Sequence, residues 1–125
     1  MLTRHKNFTK FADVQKKISN LNKDVLLFFG SEQCPPCKVL SQLLDKFETN
    51  KDLVVFELKR PDFEDMEICK EKYNLTHFPT LIKVDKNMNK MKMVMGYKGE
   101  EQFEEFVDDN FEDEDEGFVD GEFNE

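Results

Sequence analysis

The chain contains no tryptophan, only five glycines and four prolines, and no apolar stretch long enough to span a membrane. Its first ten residues, MLTRHKNFTK, also lack the apolar core of a secretory signal peptide. We therefore expect a cytoplasmic protein without a membrane or nucleic-acid partner. At 125 residues it is long enough for one domain with a core of its own.

Three cysteines are too few, and too odd in number, for a framework of structural disulfides. A catalytic or metal-binding role fits them better. Zinc needs four ligands, and beyond a first pair the candidates are Cys69, His77 and His5, with no second CxxC to complete a site. The spacing therefore favours redox chemistry over metal, and we expect no bound metal or cofactor.

Positive charge is absent from the end of the chain. Residues 1–98 hold all 18 Lys and Arg and 13 of the 27 acidic residues, whereas residues 99–125 hold the other 14 acidic residues and no base. Such dense charge of one sign predicts a disordered acidic tail at 112–125, after a folded domain at 1–111. The tail also contains spaced phenylalanines, which are suited to docking on a partner.

The remaining chain is organised around a short elbow between a predicted strand and a predicted helix. The apolar run Val25–Phe29 leads into Cys34, Pro35, Pro36 and Cys37, and an amphipathic pattern follows. Unpaired amides at a helix start stabilise an anion, so a cysteine there forms a thiolate more readily. We expect exposed Cys34 to be the nucleophile, held by the amides of Cys37 and Lys38, and Cys37 to be the resolving thiol.

The other elements follow from apolar periodicity and breakers. The sequence predicts an α/β fold in the order (β)αβαβα then ββα, with a mixed sheet of four to five strands and about four helices. The predicted strands are 5–8, 25–29, 53–58, 80–84 and 92–97, and the predicted helices are 9–21 (with a Thr9 cap), 34–50, 62–74 and 99–111. Alternation places Met91, Met93 and Met95 on one core-facing side of the last strand.

The CPPC elbow, this element order and Phe78-Pro79-Thr80 at the start of a strand resemble the thioredoxin family over roughly residues 8–110. The resemblance implies a cis peptide bond before Pro79 and a peptide-binding groove beside the disulfide. The substrate-binding positions it implies are Gln33, Pro35, Pro36, Phe78, Pro79, Thr80 and Gly96. It implies a monomer that reduces protein disulfides and is recharged by a flavin-dependent thioredoxin reductase or by glutathione.

Some residues depart from the family. Gln33 replaces the tryptophan before the first cysteine, and Phe28 replaces the buried acid that relays a proton for the resolving cysteine. The position of the lysine that accompanies this acid in the family corresponds to Glu57 or Lys59 here. Glu57 and Glu32 are candidates to accept the proton of Cys37 in place of the missing acid.

Two alternatives to a reductase stay open. A binding module would use the thioredoxin scaffold and the acidic tail to recruit a partner. A disulfide isomerase or oxidase would differ in redox potential. Cys69 and His77 are expected to be a buried core residue and a surface loop residue, respectively.

Overall fold

The computed structural model describes residues 2–49 and 52–108, which form one mixed β-sheet with helices on both faces. The element order is βαβαβαββα, as predicted. The strands are β1 (Leu2–His5), β2 (Asp24–Ser31), β3 (Leu53–Arg60), β4 (Thr80–Val84) and β5 (Lys90–Met95). The helices are α1 (Phe11–Ser19), α2 (Pro35–Lys46), α3 (Met66–Tyr73) and α4 (Glu100–Asp108).

The five strands lie in the order β1-β3-β2-β4-β5. Strand β3 pairs in parallel with β1 and β2, as the two crossover helices predict. Strand β4 pairs antiparallel with β2 and β5, so the second half of the sheet is a hairpin. Central β2 therefore ends beside the start of β4, and this edge carries the elbow with the two cysteines.

The core is divided by the sheet into two layers, which explains the continuous apolar runs of β2 and β3. Helices α1 and α3 cover one face with the buried residues Phe11, Val14, Ile18, Met66, Cys69 and Tyr73. Helices α2 and α4 cover the other face with Cys37, Leu40, Leu43, Leu44, Phe103, Phe106 and Val107. Successive side chains of each strand point alternately into the two layers, so both faces of the sheet are buried.

Two predictions near the start of the chain are wrong. The first strand is Leu2–His5 rather than residues 5–8, since Leu2 pairs in register with Leu53 and the chain turns after His5. Thr9 does not cap α1, whose N-cap is Lys10 without a side-chain hydrogen bond. The Asp65 carboxylate accepts instead from the Phe11 amide, at 2.8 Å. A residue 54 positions away thus does the capping, which no local pattern indicates.

Other boundaries differ in detail. Helix α2 ends at Lys46 and α3 spans Met66–Tyr73, both shorter than predicted, and α4 begins one residue later than predicted, at Glu100. Residues 109–111 of the last predicted helix, and the predicted tail 112–125, lie outside the described residues. In the described part, no helix is long and apolar enough to cross a membrane.

The methionines of β5 do not share one face. A register shift near Lys83 and Val84 breaks the alternation, because Lys90 pairs with Val84 and Lys92 with Lys83. Met93 and Met95 consequently pack in the layer of α1 and α3, whereas Met91 packs in the layer of α2 and α4. The core role predicted for these side chains stands, but the shared face is wrong.

Candidate functional site

The site is built at the turn from β2 into α2. Strand β2 ends at Ser31, and helix α2 begins at Pro35, which together with Pro36 occupies the first two helical positions. Cys34 is the N-cap, with extended backbone angles of φ −113° and ψ 105°. A residue before proline is driven to such angles, so Pro35 fixes where the helix starts.

Cys34 and Cys37 form a disulfide, with their Cα atoms 5.2 Å apart. The Cys37 amide donates to the Cys34 sulfur at 3.2 Å and also to the Cys34 carbonyl oxygen at 3.0 Å. The Lys38 amide donates to that same carbonyl oxygen, at 3.3 Å, rather than to the sulfur. One of the two amide donors predicted for the sulfur is therefore present, and Lys38 is not the second.

The two sulfurs differ in accessibility. Cys37 is 1% exposed within the layer of α2 and α4, whereas Cys34 is half-buried at the edge of that layer. Gln33, Pro35 and Pro36 around Cys34 are exposed. An incoming molecule can therefore reach the Cys34 sulfur first, while the Cys37 sulfur is shielded from solvent.

Gly30 lies directly beneath the disulfide, a position that the sequence reasoning did not single out. A Cβ atom added there would lie 3.3 Å from the Cys37 Sγ and 3.3 Å from the Phe28 Cε1. Both distances are tighter than ordinary van der Waals contact. The missing side chain thus lets the buried sulfur pack on the backbone of β2. The signal available in the sequence was a lone glycine between the apolar run and the elbow.

The segment before β4 faces the same end of β2. Phe29 pairs with Thr80, so the next residues along the two strands, Gly30 and Pro79, are neighbours. The peptide bond between Phe78 and Pro79 is cis, as the resemblance implies. The Thr80 hydroxyl donates to the His77 carbonyl oxygen at 2.7 Å, which ties the strand start to its own loop.

Gly96 completes this segment from the end of β5. Its amide donates to the Pro79 carbonyl oxygen at 2.6 Å, and its φ is +83°, which L side chains rarely adopt. A Cβ there would meet nothing within 4 Å. The glycine is therefore required by the backbone conformation that brings its amide to Pro79, whereas the space around it is open.

The register resolves which residue lies opposite Phe28. Phe28 pairs with Glu57, and Gly30 pairs with Lys59, so Glu57 occupies the facing position on β3. Phe28 is fully buried, and Glu57 is 3% exposed. The Lys59 Nζ lies 3.9 Å from the Glu57 Oε1 and 5.8 Å from the centroid of the Phe28 ring. An ammonium and an aromatic ring therefore lie beside the buried carboxylate.

Glu57 is held mainly by Arg4, another residue that the sequence reasoning missed. The Arg4 Nε donates to the Glu57 Oε2, its Nη1 pairs with Asp45, and its Nη2 donates to the Ser41 Oγ at 2.9 Å. Asp45 and Ser41 belong to α2, so this guanidinium links β1 and β3 to the helix that carries the cysteines. Within the described residues, the Glu57 Oε1 has no hydrogen-bond partner. No sequence pattern predicts an ion pair between two residues that are 53 positions apart and lie on different strands.

Cys69 and His77 do not join the site. Cys69 is fully buried on the opposite face of the sheet from Cys37, and burial, reinforced by Asp65, raises the pKa of its thiol to about 12. His77 is exposed, with its Nδ1 2.8 Å from the Thr76 hydroxyl. Among the residues that the structure describes, no group of three or more His, Cys, Asp or Glu side chains could hold a metal ion.

The chain is similar to known proteins in sequence and in fold. A family model described as a thioredoxin-like domain matches residues 11–110. The mitochondrial thioredoxins of Mus musculus and Rattus norvegicus are each 28% identical to the chain over 97 residues, which is 76% of this chain and 56% of theirs. The mitochondrial thioredoxin of Bos taurus is 27% identical over 101 residues, or 81% of this chain and 60% of that one. The chain thus spans somewhat more than half the length of these relatives.

Two solved structures show the same fold at low sequence identity. Reduced Schistosoma mansoni thioredoxin pre-protein has a TM-score of 0.61 at 21% identity, covering 84% of this chain and 95% of that one. Plasmodium falciparum thioredoxin has a TM-score of 0.65 at 21% identity, covering 82% and 95%. The mixed five-stranded sheet with four helices on its two faces matches these neighbours.

Proposed function

The chain belongs to the thioredoxin-like domain family, and we propose on that basis that it is a thiol–disulfide oxidoreductase that reduces protein disulfides. The observation that carries the proposal is the Cys37 amide at the start of α2, 3.2 Å from the sulfur of the accessible Cys34. A cysteine at a helix start with a backbone donor on its sulfur is stabilised as the reactive thiolate.

In the first step, the Cys34 thiolate attacks one sulfur of a substrate disulfide. The substrate S–S bond breaks, a new S–S bond joins Cys34 to the substrate, and the other substrate sulfur leaves as a thiolate that takes up a proton. Half-buried Cys34 is the sulfur that can make this attack, since Cys37 is only 1% exposed.

In the second step, Cys37 loses its proton and attacks the Cys34 sulfur. The mixed disulfide breaks, the substrate departs as a second thiol, and the Cys34–Cys37 disulfide remains, so two electrons have passed to the substrate. Glu57 and Glu32 are the candidate proton acceptors. Glu32 is exposed, and the free oxygen of Glu57 lies against Lys59. The structure therefore favours water or the departing thiolate as the acceptor.

Half-buried Phe78 and the backbone beside it form the proposed binding surface for the substrate peptide, since the side chains of Pro79 and Thr80 are buried. Phe78 is half-buried and packs against both core layers, and Pro79 adjoins the end of β2. The side chain of Phe78 also lies under Arg60, with the guanidinium carbon 5.4 Å from the ring centroid. An extended peptide laid along this edge would meet an aromatic ring, a cation and the Cys34 sulfur together.

The test is reduction of insulin disulfides by the wild type and by single cysteine variants. Cys34→Ser should abolish turnover because no nucleophile remains. Cys37→Ser should also abolish turnover but should accumulate a covalent mixed disulfide with the substrate, visible by non-reducing electrophoresis and mass spectrometry. Cys69→Ala is the matched control, since Cys69 lies on the other face of the sheet, and it should retain turnover.

Two results would contradict the proposal. Full turnover by Cys34→Ser would remove that sulfur from the mechanism. Wild type that neither reduces insulin nor equilibrates its dithiol with glutathione would leave the binding-module alternative, in which both cysteine variants keep their function.

A redox titration against glutathione separates the reductase from the other enzymatic alternatives. A reductase resembling thioredoxin should lie at about −270 mV, and an isomerase at about −180 mV. We propose that the electron donor is a flavin-dependent thioredoxin reductase or glutathione, and that the protein acts as a monomer without a bound cofactor. We propose a cytoplasmic location, although the relatives named above are mitochondrial proteins.

A further inference from the structure

A basic groove lies between the end of β1 and the outer side of α1. It has a volume of about 470 Å³. We define the β1–α1 groove by its lining residues, which are His5, Lys6, Phe8, Asp13, Lys16, Lys17 and Asn20. Three lysines face one carboxylate across it, and the half-buried Phe8 ring, tilted against Phe56 at 5.4 Å, provides an apolar floor.

The cations of this groove are available to a ligand. Lys10, Lys59, Arg60 and Lys70 all have carboxylate partners elsewhere on the domain. Lys6, Lys16 and Lys17, by contrast, are exposed and make no ion pair with any described residue. Burial and then the nearby charge of Lys17 lower the pKa of His5, which agrees with a positive potential in the groove.

The groove also continues toward the two cysteines. A smaller cavity of about 200 Å³ shares Lys6 and Phe8 with it and reaches Glu32, two residues before Cys34. The lining of this smaller cavity holds the carboxylates of Glu32, Glu57 and Asp62 against two lysines, so an acidic occupant of the β1–α1 groove would end at the boundary between the two cavities.

We propose that the occupant of the β1–α1 groove is the acidic C-terminal segment of the same chain, residues 109–125. This segment has nine acidic residues and no Lys, Arg or His, and Phe111, Phe118 and Phe123 are spaced through it. Carboxylates pair with the three unpaired lysines, and a phenylalanine packs on Phe8. Protein interfaces commonly combine a buried aromatic side chain with complementary charges around it.

A second groove, between α2 and α4, is larger than the β1–α1 groove, but its charge makes it unsuitable for this segment. The groove between α2 and α4 has a volume of about 640 Å³, and its lining includes Glu48, Glu100 and Glu104 against Lys46 as its one cation. Like charges facing each other cost free energy, so this groove repels an acidic segment.

The length of the segment allows the docking. Helix α4 ends at Asp108, and Phe118 follows ten residues later, a stretch that reaches about 33–36 Å when extended. A domain with a radius of gyration of about 13 Å corresponds to a sphere with a half-circumference of about 53 Å. Helices α4 and α1 lie on opposite faces of the sheet, but the 17 residues 109–125 span about 56–61 Å when extended, so the segment can reach the groove around the surface.

The experiment uses full-length ¹⁵N-labelled protein with a nitroxide on Asn124→Cys, in a background where the three native cysteines are changed to serine or alanine. At low salt we expect paramagnetic broadening of the amides of residues 5–8 and 13–20. Charge reversal at Lys6, Lys16 and Lys17 to Glu should reduce this broadening at least tenfold, as should high salt, because exposed charges are screened. Phe118→Ala should weaken it severalfold.

The control is Lys86→Glu with Lys90→Glu, two charge reversals of the same kind at the exposed turn between β4 and β5 and at the first residue of β5, which should leave the broadening intact. Broadening centred on that turn, or broadening nowhere on the domain, would overturn the proposal. So would broadening seen only when labelled and unlabelled chains are mixed, since the occupant would then be a second copy.

Discussion

Replacing Gly30 by alanine should destabilise the fold through the buried sulfur of Cys37. The new Cβ would lie 3.3 Å from both the Cys37 Sγ and the Phe28 Cε1, so each neighbour must move by a few tenths of an ångström. Phe28 is fully buried and Cys37 is 1% exposed, so neither side chain has free space to move into. Overpacking of this kind costs about 1–3 kcal/mol. Urea unfolding monitored by circular dichroism measures the loss.

A double-mutant cycle attributes this cost to the sulfur. Under reducing conditions, Gly30→Ala should cost at least about 0.5 kcal/mol less in a Cys37→Ala background, because one of the two close contacts is gone. Gly96→Ala is the contrasting variant, since its Cβ would meet nothing within 4 Å, and its cost of about 1–2 kcal/mol comes from the positive φ. That cost should not depend on Cys37. An unchanged Gly30→Ala cost in the two backgrounds would refute the packing of Cys37 on Gly30.

Three further predictions test the other buried groups. The free energy of unfolding should fall as pH rises above 9, by up to about 1.4 kcal/mol per pH unit. The reason is that Cys69 stays protonated up to about pH 12 in the folded state but ionises near pH 9 when unfolded. In urea titrations between pH 9 and 10, Cys69→Ala should flatten this slope. In the reduced native protein, a thiol reagent at pH 8 should react quickly with Cys34 alone, and with Cys37 and Cys69 only after denaturation, because these two are 1% and 0% exposed. Glu57→Gln should lower the free energy of unfolding by about 3 kcal/mol. This is the low end for a broken buried ion pair, because Arg4 keeps its contacts with Asp45 and Ser41. A loss near zero would contradict a structural role for the ion pair.

The fold was predictable because its signals are local. The apolar runs of β2 and β3, the breakers between elements and the change from parallel crossovers to a hairpin are all read directly from residue order. The errors concern contacts between distant residues. The start of α1 depends on Asp65, and the facing of Met91 depends on a register shift in the hairpin. Neither is encoded within a few residues of the element concerned.

The candidate site divides in the same way. The positions of Cys34 and Cys37 follow from proline chemistry and helix capping, and the structure places both at the expected turn. Gly30 and Arg4 were missed, since their importance comes from a close contact and an ion pair that exist only after the sheet has formed. The family resemblance drew attention to Phe28, but only the strand register shows that Glu57 lies opposite it.

The arrangement around Phe28 bears on how Cys37 is deprotonated. The ring edge of Phe28 and the Cys37 sulfur both adjoin the same point above Gly30, and the Lys59 ammonium lies 5.8 Å from the centroid of that ring and 3.9 Å from the Glu57 Oε1. A carboxylate is therefore still buried in this part of the domain, on the strand next to Phe28 and with the Lys59 ammonium beside it. Its other oxygen is held by Arg4, which is anchored on α2. Through Arg4, Glu57 thus holds the helix that carries the cysteines, and we expect the proton of Cys37 to leave by another route. Resolution of the mixed disulfide should accordingly be controlled by access of water to Cys37, which is 1% exposed, rather than by a relay through β3.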